Sequence, residues 1–300
     1  MKKLYIIGNG FDIYHGMKTT YADFHQYLSQ YNVDLEIKLE NYFNFKTDPN
    51  YLWTDFENDL SSFDYRSLFN DSNNIDVLSD SFKLSECYGL EDDINEQTEE
   101  LIQNIKDDFH SWIEGIEYPL SGNTNTIYFD PDAIFLNFNY TDTLEELYNI
   151  PKNNILYIHN NANDLSGELI FGHSQNAESD PEMDEFDAEG NSNRTMFTDS
   201  ENASRTPFYA FQKNTTEIID QHRQFFESLG SITQILVLGH SLGKVDWPYF
   251  IAVAKNIPQA NWLISYHSEF ERESKRQFAN EMFSLKKVNI EMIQIGDLRL

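Results

Sequence analysis

KLYIIGNGFD, residues 3–12, decides the fold, because a short apolar run leads directly into a Gly-Asn-Gly turn. The run at residues 4–7 has the length and composition of a buried β-strand. Gly8 and Gly10, with Asn9 between them, let the backbone approach a phosphate closely, and the helix expected next offers free N–H groups. The segment therefore predicts an α/β domain that holds a nucleotide-type ligand at the end of its first strand.

The same loop departs from the standard dinucleotide-binding fingerprint. The third glycine of that pattern falls on Ile13, and the next glycine is Gly16, so an ordinary dehydrogenase is not indicated. Asp12 and His15 lie in the same loop and are candidate ligand contacts. The alternative is a tight turn in which Asp12 caps a helix.

Further apolar runs indicate a parallel sheet. Three of them end, like the first, at a segment with Gly, Asn or His: residues 133–138, 155–158 and 234–239. Residues 262–267 are a further strand candidate, and residues 288–295 alternate like an edge strand. The long intervals between strands leave room for the helical crossovers that a parallel sheet requires. We therefore predict a Rossmann-like α/β fold with its chemistry at the carboxyl ends of the strands.

Residues 18–120 are expected to be mostly helical. Apolar and aromatic residues recur there at helical spacing, with Thr19 or Thr20 as an N-cap candidate. The segment 91–116 predicts a longer amphipathic helix with an acidic outer face.

Composition also suggests how the chain is organised. We expect a single α/β domain over residues 1–300, with residues 40–120 forming a helical subdomain inserted between the first two strands. Residues 176–206 contain nine acidic residues against two arginines. That composition is typical of a solvated loop, and the functional alternative is a lid or partner-binding segment over a ligand site.

Charge and cysteine content exclude several classes of protein. The net charge of −29, from 50 acidic and 21 basic residues, works against nonspecific nucleic-acid binding and against anionic membranes. Cys87 is the single cysteine, which excludes a disulfide framework and a Cys-based zinc site. No run approaches the ~18 apolar residues of a membrane span, and the N-terminal run is too short for a signal peptide. We expect a soluble, cytoplasmic protein that needs no metal.

Two strand ends carry candidate catalytic residues. Asn139 follows the second strand, just before a helix that starts near Thr141, and its amide can both donate and accept hydrogen bonds. Such a residue suits a ribose hydroxyl or an attacking water, although an N-cap is the structural alternative. His159 follows the third strand and is a candidate general base near neutral pH. His173 repeats the strand-then-histidine pattern, and a purely structural histidine is the alternative at both positions.

LVLGHSLGKVDW, residues 236–247, contains a G-x-S-x-G pattern after a strand, as in a nucleophile elbow. A serine hydrolase using Ser241 would need an acid and then a histidine downstream. Asp246 is very near in sequence, His267 is the only later histidine, and 59 residues remain after the serine. A hydrolase core normally has several strands in that interval, so one wall of a nucleotide site is the better interpretation, formed by Gly239, His240, Ser241 and Asp246.

Taken together, five segments resemble the AbiH abortive-infection family of bacterial phage-defence proteins. They are IIGNGFDIYHGMKTTYADF, WTDFENDL, LNFNYTDTLEELY, the IH and ELIFGHS stretch, and LVLGHSLGKVDWPYF, which span residues 6–250 in the family's order. One motif alone would mean little, whereas five in order are specific. The resemblance implies a role in antiviral defence.

The same pattern is distantly similar to sirtuin-like NAD-consuming domains, which implies NAD as substrate or ligand. This similarity implies that Asn139 lies at the ribose and the attacking water and that His159 is the general base. It also implies that Gly8 and Gly10 line the phosphates. The adenosine side would be lined by Gly239, Ser241 and Asp246.

Two positions depart from the sirtuin-like pattern. The Asp of an Asn-Tyr-Asp turn falls on Thr141, with Asp142 one position later. The Gly expected after the histidine is Asn160. The first departure affects the ribose contacts, and the second affects the backbone around His159.

The resulting hypothesis is an NAD-hydrolysing defence effector that breaks the bond between nicotinamide and ribose through an oxocarbenium-like transition state. One alternative is a nucleotide-binding sensor or scaffold without catalysis, and another is the hydrolase based on Ser241. Expected partners are the nucleotide, a phage-derived trigger or partner protein, and a second copy of the chain.

Overall fold

A six-stranded parallel sheet organises the strands of the chain. The computed structural model describes residues 2–46, 53–119, 126–164, 167–176, 190–283 and 288–298. The strands are β1 (Lys2–Ile7), β2 (Ile134–Asn137), β3 (Ile155–Tyr157), β4 (Ile232–Leu238), β5 (Asn261–Tyr266) and β6 (Asn289–Gln294). Their order is β3-β2-β1-β4-β5-β6, and every neighbouring pair is parallel. The predicted Rossmann-like α/β class is confirmed, including β6 at an edge.

Both faces of the parallel sheet are buried. Along β1, Leu4 and Ile6 belong to one hydrophobic cluster, whereas Tyr5 and Ile7 belong to another. The same alternation holds in β4, where Ile235 and Leu236 point into different clusters. Continuous apolar strands of this kind need helices on both faces, which the long crossovers supply.

The helices, in chain order, are α1 (Gly10–Tyr14), α2 (Tyr21–Tyr31), α3 (Val33–Tyr42), α4 (Phe56–Asp59), α5 (Tyr65–Ser72), α6 (Ser85–Glu114), α7 (Thr143–Tyr148), α8 (Thr198–Ser204), α9 (Thr206–Ala210), α10 (Thr215–Gln221), α11 (Arg223–Ser228), α12 (Trp247–Asn256) and α13 (Glu269–Met282). The helix predicted over 91–116 is α6, which begins six residues earlier than predicted. At the start of α2, Thr20 is the N-cap. Its Oγ1 accepts from the N–H of Asp23, and the carboxylate of Asp23 accepts from the N–H of Thr20, as in a capping box.

The chain divides into two compact units. The first comprises Met1–Asp23, His110–Ile170 and Asn214–Leu300, and the second comprises Phe24–Phe109 and Phe171–Lys213. The first unit contains the entire sheet. The second is built from helices, and two separate stretches of chain contribute to it. The predicted insertion at 40–120 and the single domain over 1–300 stay predictions.

An aromatic cluster forms the core of the second unit. Phe109 lies 5.3 Å from Phe24 and 4.4 Å from Phe171, measured between ring centroids. Phe56 packs against Phe24 at 5.4 Å and is fully buried, as is Phe109. Large aromatic side chains of this kind allow a few short helices to bury enough surface for a core.

The predicted acidic segment at 176–206 is described only in part. Residues 177–189 lie outside the described residues. Beyond them, α8 has Ser200 and Ser204 buried. None of the helices in the described part of the chain has the length and apolar character needed to cross a membrane.

Candidate functional site

The topological switch point of the sheet lies at the carboxyl end of β1. β1 is flanked by β2 on one side and β4 on the other, so the direction of the crossovers reverses there. In open α/β sheets ligands bind at such a point, beyond the carboxyl ends of the strands. The loops at residues 8–10 and 239–241 follow β1 and β4, so these two predicted segments flank the switch point.

Three glycines allow these two loops to touch. Gly8 N–H donates to the carbonyl of Leu238 at 2.9 Å, and Gly10 N–H donates to the carbonyl of Gly239 at 2.7 Å. A Cβ on Gly8 would lie 2.6 Å from the Cα of His240, and one on Gly10 would lie 2.7 Å from the oxygen of Gly239. Gly239 has φ +68°, and a side chain there would overlap the backbone of the first loop. The glycines therefore permit close packing of two backbones, and both N–H groups are used within the protein.

Asn9, between the two glycines, reaches back along its own loop. Its side-chain amide donates to the carbonyl of Thr19 at 2.5 Å. Asn9 is also the N-cap residue of α1, without a side-chain capping bond. The side chain thus holds the segment that leads into α2.

Asp12 is buried on α1 beside the turn that follows β2. The Thr141 hydroxyl donates to Oδ2 of Asp12 at 2.6 Å and lies 3.0 Å from the hydroxyl of Thr143. Burial raises the pKa of Asp12 to about 6, while its interactions with Thr141, Thr143 and Asn139 limit the rise. A carboxyl group that titrates near neutral pH inside a polar site is a marker of functional sites.

Three buried polar atoms of Asp12 and Asn139 have no hydrogen-bond partner of good geometry among the described residues, although the Asn139 amide is near enough to lower the pKa of Asp12. These atoms are Oδ1 of Asp12 and both the oxygen and the nitrogen of the Asn139 amide. Asp12 is 1% exposed and Asn139 is 5% exposed. A buried polar group left unpaired costs about 1–3 kcal/mol, and native structures pair nearly all of them. The two side chains therefore define a place suited to water or to the hydroxyl groups of a ligand.

A second polar cluster joins the ends of β3 and β4. Asp246 lies between two histidines, with its Oδ1 3.9 Å from Nε2 of His159 and its Oδ2 3.5 Å from Nε2 of His240. Both histidines are buried, and the Asp246 side chain is 13% exposed. Asp246 is the N-cap residue of α12 but makes no side-chain capping bond, so its carboxylate faces the imidazoles.

The tautomer of His240 follows from its neighbours. Nδ1 of His240 accepts from the N–H of Leu242 at 2.9 Å, so Nδ1 carries no proton. The ring proton is then on Nε2, which faces Asp246. Leu242 adopts φ +62° and is fully buried, which fixes the turn that makes this bond.

Aromatic rings orient both histidines of the second cluster. Phe138 lies edge-on to His240 at 4.5 Å and to His159 at 5.2 Å, measured between ring centroids. Tyr249, on α12, packs edge-on against His159 at 5.6 Å. Phe138 directly precedes Asn139, so the turn after β2 contributes to both polar clusters.

The two departures from the sirtuin-like pattern have clear structural counterparts. Asn160 adopts φ +64°, the left-handed conformation that glycine takes most easily and that asparagine tolerates better than most residues. Thr141 positions the carboxylate of Asp12, whereas Asp142 accepts from the side-chain amides of Asn161 and Asn163. The buried carboxylate of the site thus comes from α1 instead of from the turn after β2.

His15 is fully hydrogen-bonded within the first unit. Its Nδ1 donates to the carbonyl of Phe11 at 2.7 Å, and its Nε2 accepts from the hydroxyl of Tyr148 at 2.7 Å. Burial lowers the pKa of His15, which favours the neutral ring. These contacts account for the residue structurally.

His173 belongs to the second unit, whereas the other predicted site residues belong to the first. Its Nε2 donates to the carbonyl of Phe208 at 3.0 Å, and its Nδ1 accepts from the N–H of Gln175 at 3.2 Å. Burial lowers its pKa as well. Both ring nitrogens are therefore used locally.

Ser241 is exposed and does not have the environment of an activated nucleophile. Its hydroxyl accepts from the N–H of Gly243 at 3.4 Å, and within the described residues no imidazole lies in hydrogen-bond reach of it. Gly239 and Leu242 have positive φ values, whereas a nucleophile elbow strains the serine itself. The geometry does not support the hydrolase alternative.

The fold and the site together define a Rossmann-like α/β protein with a buried polar site at the carboxyl edge of its sheet. The chain belongs to the family of bacteriophage abortive infection AbiH proteins, whose family model matches residues 4–266. No curated protein matches the chain at a significant level. Family membership indicates a role in abortive infection of phage-infected bacteria.

Some residues of the site were not predicted from the sequence. Thr143 and Phe138 lie within two residues of predicted ones, so their proximity along the chain is a signal that could have identified them. Ser265 accepts from the N–H of Gly239 at 2.8 Å, and Lys275 donates to the carbonyl of Ser265 at 2.8 Å. The position of Ser265 at the end of β5, beside β4, is visible only once the strand order is known.

Proposed function

We propose that this AbiH-family protein cleaves the bond between nicotinamide and ribose in NAD or a related nucleotide during abortive infection. The observation that carries the proposal is the set of three buried polar atoms, Oδ1 of Asp12 and the two amide atoms of Asn139, that have no hydrogen-bond partner among the described residues. A ribose offers hydroxyl groups that donate and accept, which matches a carboxylate oxygen and an unpaired amide.

The buried carboxylate of Asp12 also suits the chemistry. As the glycosidic bond breaks, its electron pair goes to the nicotinamide nitrogen, and positive charge develops on the ribose ring. A carboxylate in a water-poor site stabilises that charge more strongly than it would in bulk water. With a pKa of about 6, Asp12 is mainly ionised at neutral pH.

His159 and Asp246 supply the second half of the reaction. A water attacks the ribose carbon, and the proton that it loses needs an acceptor. His159 is an imidazole beside a carboxylate, with Asp246 3.9 Å from its Nε2. That distance is longer than a direct hydrogen bond, but a carboxylate this close still favours the imidazolium that forms. The products are nicotinamide, the ribosyl nucleotide and a proton.

The glycine loops do not offer the phosphate contacts that the sequence predicted for such a substrate. Both N–H groups predicted to face phosphates, on Gly8 and Gly10, donate to the loop after β4. The proposal therefore assigns the ribose to Asp12 and Asn139 and assigns no phosphate contact to these two N–H groups.

The experiment is to incubate the purified full chain with NAD and to measure nicotinamide release, with and without extract from phage-infected cells. We expect release by the wild-type protein and at least a ~100-fold loss in Asn139→Ala and in His159→Ala. His110→Ala is the matched control for His159→Ala, since it removes a histidine of α6 outside both polar clusters, and it should retain activity. No release under either condition, together with full phage protection by Asn139→Ala, would refute the proposal.

The non-catalytic sensor is distinguished in the same samples. Its supporting observation is the low exposure of the two histidines beside Asp246, 2% for His159 and 4% for His240, since a general base must reach water. Binding of NAD by isothermal titration calorimetry without turnover, lost in Asp12→Ala, would favour that function.

A further inference from the structure

A cluster of three metal-ligand side chains lies in the second unit, outside the polar site of the sheet. It consists of His25 on α2 together with Glu36 and Glu40 on α3. The two glutamates are one helical turn apart, so they lie on one face of α3. One ligand atom from each residue lies within 4.8 Å of the others.

The distances within this cluster match the coordination shell of a small metal ion. Nε2 of His25 lies 3.1 Å from Oε1 of Glu36 and 3.4 Å from Oε1 of Glu40. Ligands that bind Zn²⁺ tetrahedrally at about 2.0–2.1 Å lie about 3.3 Å from one another. Direct N–H···O hydrogen bonds span about 2.7–3.2 Å, so the contact with Glu36 also fits a hydrogen bond, whereas the contact with Glu40 is longer than that range.

Hydrogen bonding alone accounts poorly for the arrangement. One imidazole N–H can serve a single carboxylate well, yet two negative carboxylates converge on the same nitrogen. A divalent cation would compensate both charges and accept the neutral ring nitrogen as a ligand. The net charge of −29 attracts cations to the protein in general.

Neighbouring side chains hold the ligands in place. Ser29 donates its hydroxyl to Oε1 of Glu36 at 2.7 Å, and such contacts fix metal-binding carboxylates. The ring of Trp53 packs edge-on against His25 at 4.7 Å and is itself buried. The side chains of His25 and Glu36 are 15% and 16% exposed, whereas Glu40 is 57% exposed, which leaves a path from solvent.

We propose that His25, Glu36 and Glu40 bind one Zn²⁺-type transition-metal ion, with water completing the coordination shell. A nitrogen and two carboxylate oxygens favour zinc over magnesium, which prefers oxygen ligands alone. The ion would connect α2 to α3. This site is independent of the reaction proposed above.

The test uses the full chain, stripped of metal by a chelator and then titrated with Zn²⁺ in a calorimeter. We expect one ion per chain, a rise in the thermal unfolding temperature on binding, and no comparable binding of Mg²⁺. Replacement of zinc by Co²⁺ should give visible d–d absorption. His25→Gln and Glu40→Gln should each weaken Zn²⁺ binding by about 100-fold or more, and Ser29→Ala by about 10-fold.

His110→Gln is the matched control. His110 and Glu114 form a histidine–glutamate pair 3.7 Å apart on α6, and no third ligand joins them within the part of the chain that the structure describes. We expect this variant to bind Zn²⁺ as tightly as the wild type. Glu40→Gln guards against misfolding as an explanation, because that side chain is mostly exposed. Absence of binding, or binding that survives both cluster variants, would overturn the proposal.

Discussion

The charge state of Asp12 provides a sharp test of the site. Burial raises its pKa from an ordinary value of 3.8 to about 6. A carboxyl group whose pKa is higher in the folded state binds more protons when the protein is folded than when it is unfolded. Ionisation therefore reduces the free energy of unfolding as the pH rises from about 4 to above 6. At pH 7 this effect amounts to about 3 kcal/mol, since each pKa unit corresponds to ~1.4 kcal/mol.

Asp12→Asn isolates this effect from the other carboxyl groups. The variant keeps the size of the side chain and an acceptor for the Thr141 hydroxyl, but it cannot ionise. We expect it to gain stability relative to the wild type as the pH rises, by about 2 kcal/mol between pH 4.5 and pH 7. Guanidinium unfolding, followed through the fluorescence of the buried Trp262, measures this difference at each pH.

Asp130→Asn is the control of opposite sign. The hydrogen bond from Lys3, at 2.7 Å, holds the pKa of Asp130 below its ordinary value. The wild-type carboxylate stabilises the fold above its unfolded-state pKa and loses that effect as the pH falls, so this variant should become relatively less stable as the pH rises. A difference between Asp12→Asn and wild type that is independent of pH would refute the assignment of a buried, titrating carboxyl group.

The remaining predictions concern the loops that shape the site. Gly239→Ala should cost more than about 4 kcal/mol in unfolding free energy, because its Cβ would overlap backbone atoms; Gly16→Ala, with φ +81° and open space around it, should cost only about 1–2 kcal/mol in the same denaturation experiment. Ser265→Ala leaves the N–H of Gly239 without its acceptor and should cost about 1–3 kcal/mol. Ser274→Ala on α13 removes only a solvent-exposed hydrogen bond to the carbonyl of Phe270 and should change stability little.

The strands could be predicted from the sequence because parallel strands buried on both faces are continuous apolar runs. All six runs became strands, although β4 begins at Ile232, two residues before the predicted start. The strand order could not be read from the runs. The strand order depends on which faces of the sheet the crossover helices cover. Because that order places β5 beside β4, Ser265 lies next to Gly239.

The site was predicted in part, for reasons that differ from residue to residue. Asn139 and Asp246 directly follow or precede elements that the sequence marks clearly, so their position at the carboxyl edge could be expected. His15 and His173 were predicted as ligand contacts from residue type and a strand-end position alone. In the structure both ring nitrogens of each histidine are already hydrogen-bonded within the protein. Whether a histidine has spare hydrogen-bonding capacity depends on carbonyl and hydroxyl groups that are distant in sequence, such as Tyr148.

The role of the glycines changes how selectivity at this site should be understood. In a phosphate-binding loop, glycines keep N–H groups open toward the ligand. Here the N–H groups of Gly8 and Gly10 donate to carbonyls at the end of β4 and in the loop after it, and the close contact leaves no room for side chains. Under the proposed function, ligand recognition would then depend on nearby side chains, of which Asp12 and Asn139 carry polar atoms without a hydrogen-bond partner among the described residues. A ligand that binds through these two side chains needs hydroxyl groups. A ribose has them, and an isolated phosphate does not.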